Sequence, residues 1–220
     1  SIGTINYTYD ADNARVAVDD GTTTKNYLID TRQQYAQVVA EYENTTSPSV
    51  EYVFGLERIS QDRGGVSATY IADGQGSIRQ LTNASGNVTD SYSYYAFGEE
   101  LSSSGSTENE FRYVGEQFDP NGGFYYNRAR WYSPGIGRFV SVDPWVGDPQ
   151  ASVTLHRYLY CGMSPVNYVD PTGEMFNLRS TIQTLYIQAT ILSINVQSYF
   201  YTLLSGGTSV ASKGTQLRIG

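Results

Sequence analysis

Between residues 5 and 140 the chain consists of short segments of alternating side chains, separated by clusters of Asp, Asn, Gly and Ser. Asp20-Gly21 lies between two such segments, and further clusters occupy residues 73–77 and 83–87. Asp and Gly at these places favour tight turns that join neighbouring strands. Because the segments are roughly 5–8 residues long and show no helical period, the pattern predicts a mainly β fold in which consecutive strands pair antiparallel.

Two segments share one pattern, which indicates weak internal repetition. Residues 7–13 and 70–76 each begin with Tyr, reach an Asp three residues later and enter a turn, and an Arg and a strand segment follow. Repeat units of this kind bury a face only by stacking on their neighbours. With 20 Tyr in 220 residues, they predict an extended sheet with rows of tyrosines packed across the strands, although a Tyr-rich chain also produces two such matches by chance.

The composition excludes several classes of site. The chain carries 14 Lys and Arg against 22 Asp and Glu, for a net charge of −8, and it contains a single His and a single Cys. An acidic chain without a basic cluster binds nucleic acid poorly, because nothing in it displaces counterions from phosphates. One Cys and one His exclude a disulfide framework and most zinc sites. We therefore expect no nucleic-acid partner, no metal and no cofactor.

The C-terminal part differs in composition, since residues 180–212 carry no formal charge. Apolar side chains recur there at i, i+3, i+4 and i+7 spacing, which predicts a helix over about residues 180–204. Burial against protein accounts for its composition, and membrane insertion through residues 182–204 is the alternative. At the other end, the chain shows neither an initiator Met nor a signal sequence, so it reads as a piece of a longer protein with any export signal upstream.

Several motifs follow one another between residues 112 and 173. They are Arg112-Tyr113-Val114-Gly115, Gly123-Phe124-Tyr125-Tyr126-Asn127-Arg128-Ala129-Arg130-Trp131-Tyr132, Gly137-Arg138-Phe139, Asp143-Pro144 and Asp170-Pro171-Thr172-Gly173. In this order they resemble the Rhs-repeat-associated core of the Rhs/YD-repeat family. That family includes bacterial polymorphic toxins, the C component of Tc insecticidal toxins and, more distantly, the teneurins. The resemblance covers about residues 1–173.

The resemblance implies an organisation in three parts. Residues 1–110 would be a YD-repeat sheet that curls as part of a hollow shell, residues 111–174 the core that plugs the shell, and residues 175–220 a variable tail. In many toxins of the family the tail is an effector held inside. The implied partners are this tail, upstream YD repeats and the secretion machinery, in a protein that is secreted or at the cell surface and serves interbacterial competition. The residues expected to pack the plug are Phe124, Tyr125, Tyr126, Arg128, Trp131, Arg138 and Phe139.

The resemblance also implies a cleavage site. In several members the core cuts its own chain after an Asp-Pro-x-Gly-Leu motif, using a pair of carboxylates like that of an aspartyl protease. The matching positions are Asp143 and Asp170, with Arg130 supporting the pair, and the scissile bond would be Glu174–Met175. Glu174 stands where cleaving members usually have Leu, and a charged side chain there needs solvent or a partner.

The same residues allow a structural interpretation, because Asp119, Asp143, Asp148 and Asp170 each precede a Pro and Asp-Pro commonly begins a turn. Two functions therefore remain open. One is a shell that holds its tail and cuts the chain once, as a self-cleaving aspartyl-protease-like enzyme. The other is an extracellular adhesion or filament module that binds surface glycans or proteins through its tyrosines, without proteolysis.

Overall fold

The computed structural model describes residues 4–33 and 35–174, which form two antiparallel β-sheets and confirm the mainly β prediction. We call the first sheet the wall; its strands are β1 (Asn6–Tyr9), β2 (Arg15–Asp19), β3 (Thr24–Asp30), β4 (Gln37–Glu43), β5 (Val50–Phe54), β6 (Arg58–Arg63), β7 (Val66–Ala72), β8 (Ile78–Asn83), β9 (Val88–Tyr94) and β10 (Glu100–Ser104). We call residues 111–174 the plug; its sheet contains β11 (Gln117–Asp119), β12 (Phe124–Asn127), β13 (Arg130–Ser133) and β14 (Arg138–Phe139). Three short 3-10 turns cover Tyr113–Gly115, Ser152–Leu155 and Cys161–Met163.

The wall is a meander in which every strand pairs with the next along the chain. Turn chemistry explains this order at the predicted turns. The carboxylate of Asp73 accepts hydrogen bonds from the backbone N–H groups of Gln75 and Ser77, at 2.9 and 3.0 Å. Between them Gly76 has a φ of +81°, which glycine adopts without steric cost. Short turns of this type leave neighbouring strands no alternative to antiparallel pairing.

Strand β6 is not apparent from the sequence pattern, because its inward positions are polar. Gln61 is only 1% exposed, donates to the Glu108 carbonyl at 2.9 Å and accepts from the Tyr70 hydroxyl at 2.9 Å. The guanidinium of Arg58 lies 3.3 Å from the centre of the Phe111 ring. Buried polar side chains of this kind are stable only when tertiary contacts satisfy them. Alternation of apolar residues therefore cannot reveal this strand.

The inner face of the wall forms one hydrophobic core with the start of the plug. Its buried members include Val50, Tyr52, Tyr70 and Leu81, and Phe111 joins them from the plug. The Tyr52 and Phe111 rings meet edge to face, with centroids 5.0 Å apart. The buried tyrosines of the wall, Tyr52 and Tyr70 among them, thus lie on the face that packs against the plug.

The wall contacts the plug at its first strand and again at the start of strand β8. Near the beginning, the indole N–H of Trp131 donates to the Tyr9 hydroxyl at 3.0 Å. Further along, the backbone N–H of Ile78 donates to the Arg112 carbonyl at 2.9 Å, and the N–H of Val114 donates to the Ser77 hydroxyl at 2.9 Å. The wall and the plug therefore pack against each other within one compact unit.

The plug has an aromatic core of its own. Tyr132 stacks on Tyr160 with ring centroids 4.0 Å apart. Among the residues expected to pack here, Tyr125 and Phe139 are buried, whereas Phe124, Tyr126, Arg128 and Trp131 are half-buried. Arg138 is exposed, because it precedes Phe139 on β14 and successive side chains of a strand point to opposite faces.

The predicted helix over residues 180–204, with its alternative of membrane insertion through 182–204, lies outside the described residues. Within residues 4–33 and 35–174, no helix has the length and apolar character needed to cross a bilayer.

Candidate functional site

Two buried carboxylates converge on one arginine at the end of the plug. Nη2 of Arg130 lies 2.8 Å from Oδ2 of Asp143 and 3.4 Å from Oδ2 of Asp170. All three residues are buried, with exposed fractions of 3%, 7% and 3% for Arg130, Asp143 and Asp170. The structure therefore brings the three side chains singled out from the sequence together, with both Oδ2 atoms in contact with a single guanidinium nitrogen.

Arg130 owes its place to strand β13 and to the loop around it. Its Nε donates to the Gly173 carbonyl, and its Nη1 donates to the Arg157 carbonyl at 3.1 Å. The guanidinium carbon lies 3.6 Å from the centre of the Phe139 ring. A planar guanidinium with its donors used in this way is held in one orientation, so it fixes the two carboxylates relative to each other.

The four Asp-Pro carboxylates separate into two groups in the structure. In both groups one oxygen of the carboxylate takes part in a local turn. Oδ1 of Asp143 accepts the N–H of Trp145 at 2.8 Å, and Oδ1 of Asp148 accepts the N–H of Gln150 at 2.9 Å. Within the described residues, Asp143 and Asp170 are the Asp-Pro carboxylates that also contact an arginine. The turn and the site are therefore compatible, because each uses a different oxygen of the carboxylate.

Burial and charge act in opposite directions on Asp170. Burial is the largest influence and raises the pKa of its carboxyl from 3.8 to about 6, against the lowering effect of Arg130 and of the N–H of Gly173. Burial also lowers the pKa of the Arg130 guanidinium, and Asp143 and Asp170 oppose that change. The Asp143 carboxylate also raises the pKa of Asp170, so the protonated form of Asp170 is favoured relative to an isolated carboxyl group.

Residues not singled out from the sequence hold this site together. The Asn127 side-chain amide donates to the Asp170 carbonyl at 2.8 Å. Asp143 and Arg157 are joined twice: the N–H of Asp143 donates to the Arg157 carbonyl at 2.9 Å, and Nε of Arg157 donates to the Asp143 carbonyl at 2.9 Å. Bonds between a side chain and a distant carbonyl leave no local spacing signal, so only coordinates reveal them.

The chain passes from this site to an open cavity between wall and plug. Glu174 is exposed and lines this cavity of about 790 Å³, together with Arg15, Tyr126, Arg128 and Trp131. Its backbone N–H donates to the Thr172 hydroxyl at 3.2 Å. Glu174, which precedes the expected cleavage point, therefore follows the carboxylate site in the chain and lies at the edge of this cavity.

Gly173 is required by the path of the chain at this point. Its φ is +72°, and a Cβ on it would overlap the Asn127 carbonyl oxygen. We expect Gly173→Ala to lower the free energy of unfolding by about 2 kcal/mol, because backbone strain adds to the overlap. Chemical denaturation of the full chain measures this loss. Gly135→Ala is the matched control, since a Cβ there meets nothing within 4 Å; equal stability of the two variants would contradict the expectation.

Comparisons with known proteins show similarity in sequence and in fold. No family model matches the chain. The chain is 29% identical over 171 residues to the tRNA3(Ser)-specific nuclease WapA of Bacillus spizizenii, which covers 76% of this chain and 7% of that protein. It is 32% identical over 155 residues to salivary gland surface protein 1 of Aedes aegypti, which covers 68% of this chain and 4% of the relative.

Among solved structures, a chain of the Photorhabdus luminescens Tc holotoxin pore matches with a TM-score of 0.57 at 20% identity, over 79% of this chain and 9% of that one. At this identity the match concerns the fold. The chain spans less than a tenth of each of these relatives. It thus shares a fold with a Tc toxin chain and is similar in sequence to WapA, as the motifs resembling the Rhs/YD-repeat core led us to expect.

Proposed function

We propose that this chain is the closing end of an Rhs-type shell that encloses its own C-terminal segment and cuts the chain once, between Glu174 and Met175. The observation that carries the proposal is the pair of buried carboxylates on Nη2 of Arg130, one of which, Asp170, lies four residues before Glu174. The packing of the wall on the plug supports the enclosing role, because wall residues such as Arg15 and Val38 line the same cavity as Glu174.

The cleavage needs a base and an acid. Asp143 is the carboxylate nearer to Arg130, so we assign it the ionised role, in which it takes a proton from a water molecule. The water oxygen then forms a bond to the Glu174 carbonyl carbon. Asp170 in its protonated form polarises that carbonyl and supplies the proton to the departing Met175 nitrogen. The products are a carboxylic acid on Glu174 and an amine on Met175. Asp143 then holds the proton taken from water and Asp170 is ionised, so the pair carries one proton after the reaction, as it did before.

The two oxygens of the Asp170 carboxyl group have different partners. Oδ1 accepts the Gly173 N–H at 2.9 Å and the Thr172 hydroxyl at 3.3 Å, whereas Oδ2 faces Arg130 on the side of Asp143. We therefore place the proton of Asp170 on Oδ2, the oxygen that the local turn does not use. Only one turnover is needed for each chain, so modest rates suffice.

We expect cleavage to slow as the pH rises through about 6, because Asp170 then loses the proton that the reaction requires. The full chain is purified in denaturant and refolded by dilution at pH values on both sides of 6, and intact mass follows the conversion of one chain into two pieces. Asp148→Asn serves as the control, since the Asp148 carboxylate is exposed. Cleavage that accelerates above pH 6 would contradict the assignment of Asp170 as the acid.

The partners follow from the same proposal. The enclosed partner is the chain from Met175 onward, the wall continues into upstream YD repeats, and the assembled protein acts outside the cell that makes it. The nuclease activity in the name of WapA is not assigned to this chain, because the match covers 7% of that protein.

An adhesion or filament module remains the second candidate, and the likeness to a salivary gland surface protein favours it. The tyrosines of the wall give it less support, because Tyr27, Tyr52, Tyr70 and Tyr92 are buried and so unavailable to glycans. A glycan array distinguishes the two candidates: specific binding together with an uncut chain would favour the adhesion module.

A further inference from the structure

The hydroxyl of Thr172 connects the carboxylate pair to the backbone of the residue that precedes the expected cut. Oγ1 of Thr172 donates to Oδ1 of Asp170 at 3.3 Å and accepts from the N–H of Glu174 at 3.2 Å. Thr172 occupies the unspecified position of the Asp-Pro-x-Gly motif, so the motif itself assigns it no role. A hydroxyl is suited to this place because it donates one hydrogen bond and accepts another.

We propose that Thr172 is a positioning residue for the self-cleavage, holding the Glu174 backbone at a set distance from the Asp170 carboxylate. The inference deepens the proposed function and rests on it. The scissile carbonyl belongs to Glu174, so a fixed N–H on that residue restricts where its carbonyl can lie. The reacting groups must approach within a hydrogen-bond length of each other, and an ångström of misplacement costs much of the rate.

The neighbouring contacts show why one hydroxyl matters here. On the Asp170 side the segment is anchored by Asn127 and by the N–H of Gly173, and Nε of Arg130 holds the Gly173 carbonyl. Glu174 comes after these anchors, and its side chain is exposed in the cavity. The bond to Thr172 thus extends this set of hydrogen bonds to Glu174, the residue that precedes the expected cut.

The Thr172 hydroxyl also affects the pKa of Asp170, the proposed acid. Its hydrogen bond favours the ionised form of Asp170 and so lowers the pKa of that carboxyl, against the effect of burial. Removing it should move the pH midpoint of cleavage upward by up to about one unit, the size of shift that one hydrogen bond produces. A purely structural role for Thr172 would change the stability without moving this midpoint.

The test compares Thr172→Val, which keeps the shape, with Thr172→Ser, which keeps the hydroxyl. Each full chain is refolded at a series of pH values, and intact mass gives the rate and the midpoint. We expect Thr172→Val to slow cleavage by about tenfold, the order expected for one lost hydrogen bond together with poorer alignment, and to raise the midpoint. Thr172→Ser should restore both toward the values of the unaltered chain.

The outcomes separate this inference from the proposed function. If the unaltered chain cuts and Thr172→Val cuts with the same rate and midpoint, the inference is overturned and the proposed function stands. If the unaltered chain never cuts, the proposed function fails and the positioning role fails with it. Carbon NMR titration of Asp170 in an Asp143→Asn background then shows whether the hydroxyl bond exists, because Thr172→Val raises the pKa of Asp170 only if it does. Thr172→Ala replaces Thr172→Val should the valine variant not fold, with the same two readouts.

Discussion

Asp143→Asn should leave the chain as a single piece spanning Glu174–Met175, and so should Asp170→Asn. An amide in place of either carboxylate removes the base or the acid while keeping the side-chain shape. General acid–base groups contribute a hundredfold or more each, roughly, so either change reduces the single turnover to a level that intact mass does not detect within the time of the unaltered reaction. Intact mass after refolding at pH values below 6 measures the outcome.

The controls for this result use the other Asp-Pro sites. Asp148→Asn changes an exposed Asp-Pro carboxylate whose Oδ1 also accepts a backbone N–H, so it removes the charge of a turn carboxylate that lies outside the site. It should cut like the unaltered chain. Cleavage in Asp143→Asn or Asp170→Asn would refute the assignment of the pair, and an unaltered chain that stays whole would refute self-cleavage altogether.

Replacing Arg130 by Met should destabilise the whole plug. The change leaves Asp143 and Asp170 buried and facing each other without their cation. Removing one partner of a buried ion pair typically lowers the free energy of unfolding by about 3–5 kcal/mol, because the remaining charge is uncompensated. Chemical denaturation measures the loss, and Arg138→Met is the matched control, since Arg138 lies on the neighbouring strand and is exposed. Similar losses in the two variants would contradict a central role for Arg130.

The loss in free energy of unfolding caused by Arg130→Met should also depend on pH. In the unaltered chain the pKa of Asp170 is raised from 3.8 to about 6, so its protonation stabilises the folded state and that stabilisation is lost as the pH rises through about 6. Without the guanidinium, the pKa of Asp170 rises further, and ionising it in the folded state becomes more costly. Arg130→Met should therefore lose most stability above pH 6 and less below it, whereas Arg138→Met should show no such trend.

The parts of the fold that the sequence predicted correctly depend on neighbouring residues. Side chains along strand β5 alternate between buried and exposed positions, as the alternating segments between residues 5 and 140 predict. The turn at Asp73 was predictable because the Asp carboxylate binds N–H groups two and four residues ahead. Strand β6 was missed because Gln61 and Arg58 take inward positions, and only contacts with Glu108 and Phe111 make their burial tolerable.

The resemblance named Asp143, Asp170 and Arg130, but it could not place them. Arg130 and Asp170 are 40 residues apart, and no spacing rule connects residues at that distance. The supporting contacts of Asn127, Arg157 and Thr172 had no sequence signal at all, because backbone carbonyls and N–H groups are present at every position.

By itself, then, the sequence determined the mainly β class, the order of most strands and the turns between them, because these follow from side-chain alternation and turn chemistry over a few residues. Only the tertiary structure decided that two Asp-Pro carboxylates share one guanidinium nitrogen while Asp148 lies exposed. The reason is physical: burial and charge pairing are properties of a three-dimensional neighbourhood, and identical dipeptides acquire different chemistry according to what the fold places beside them.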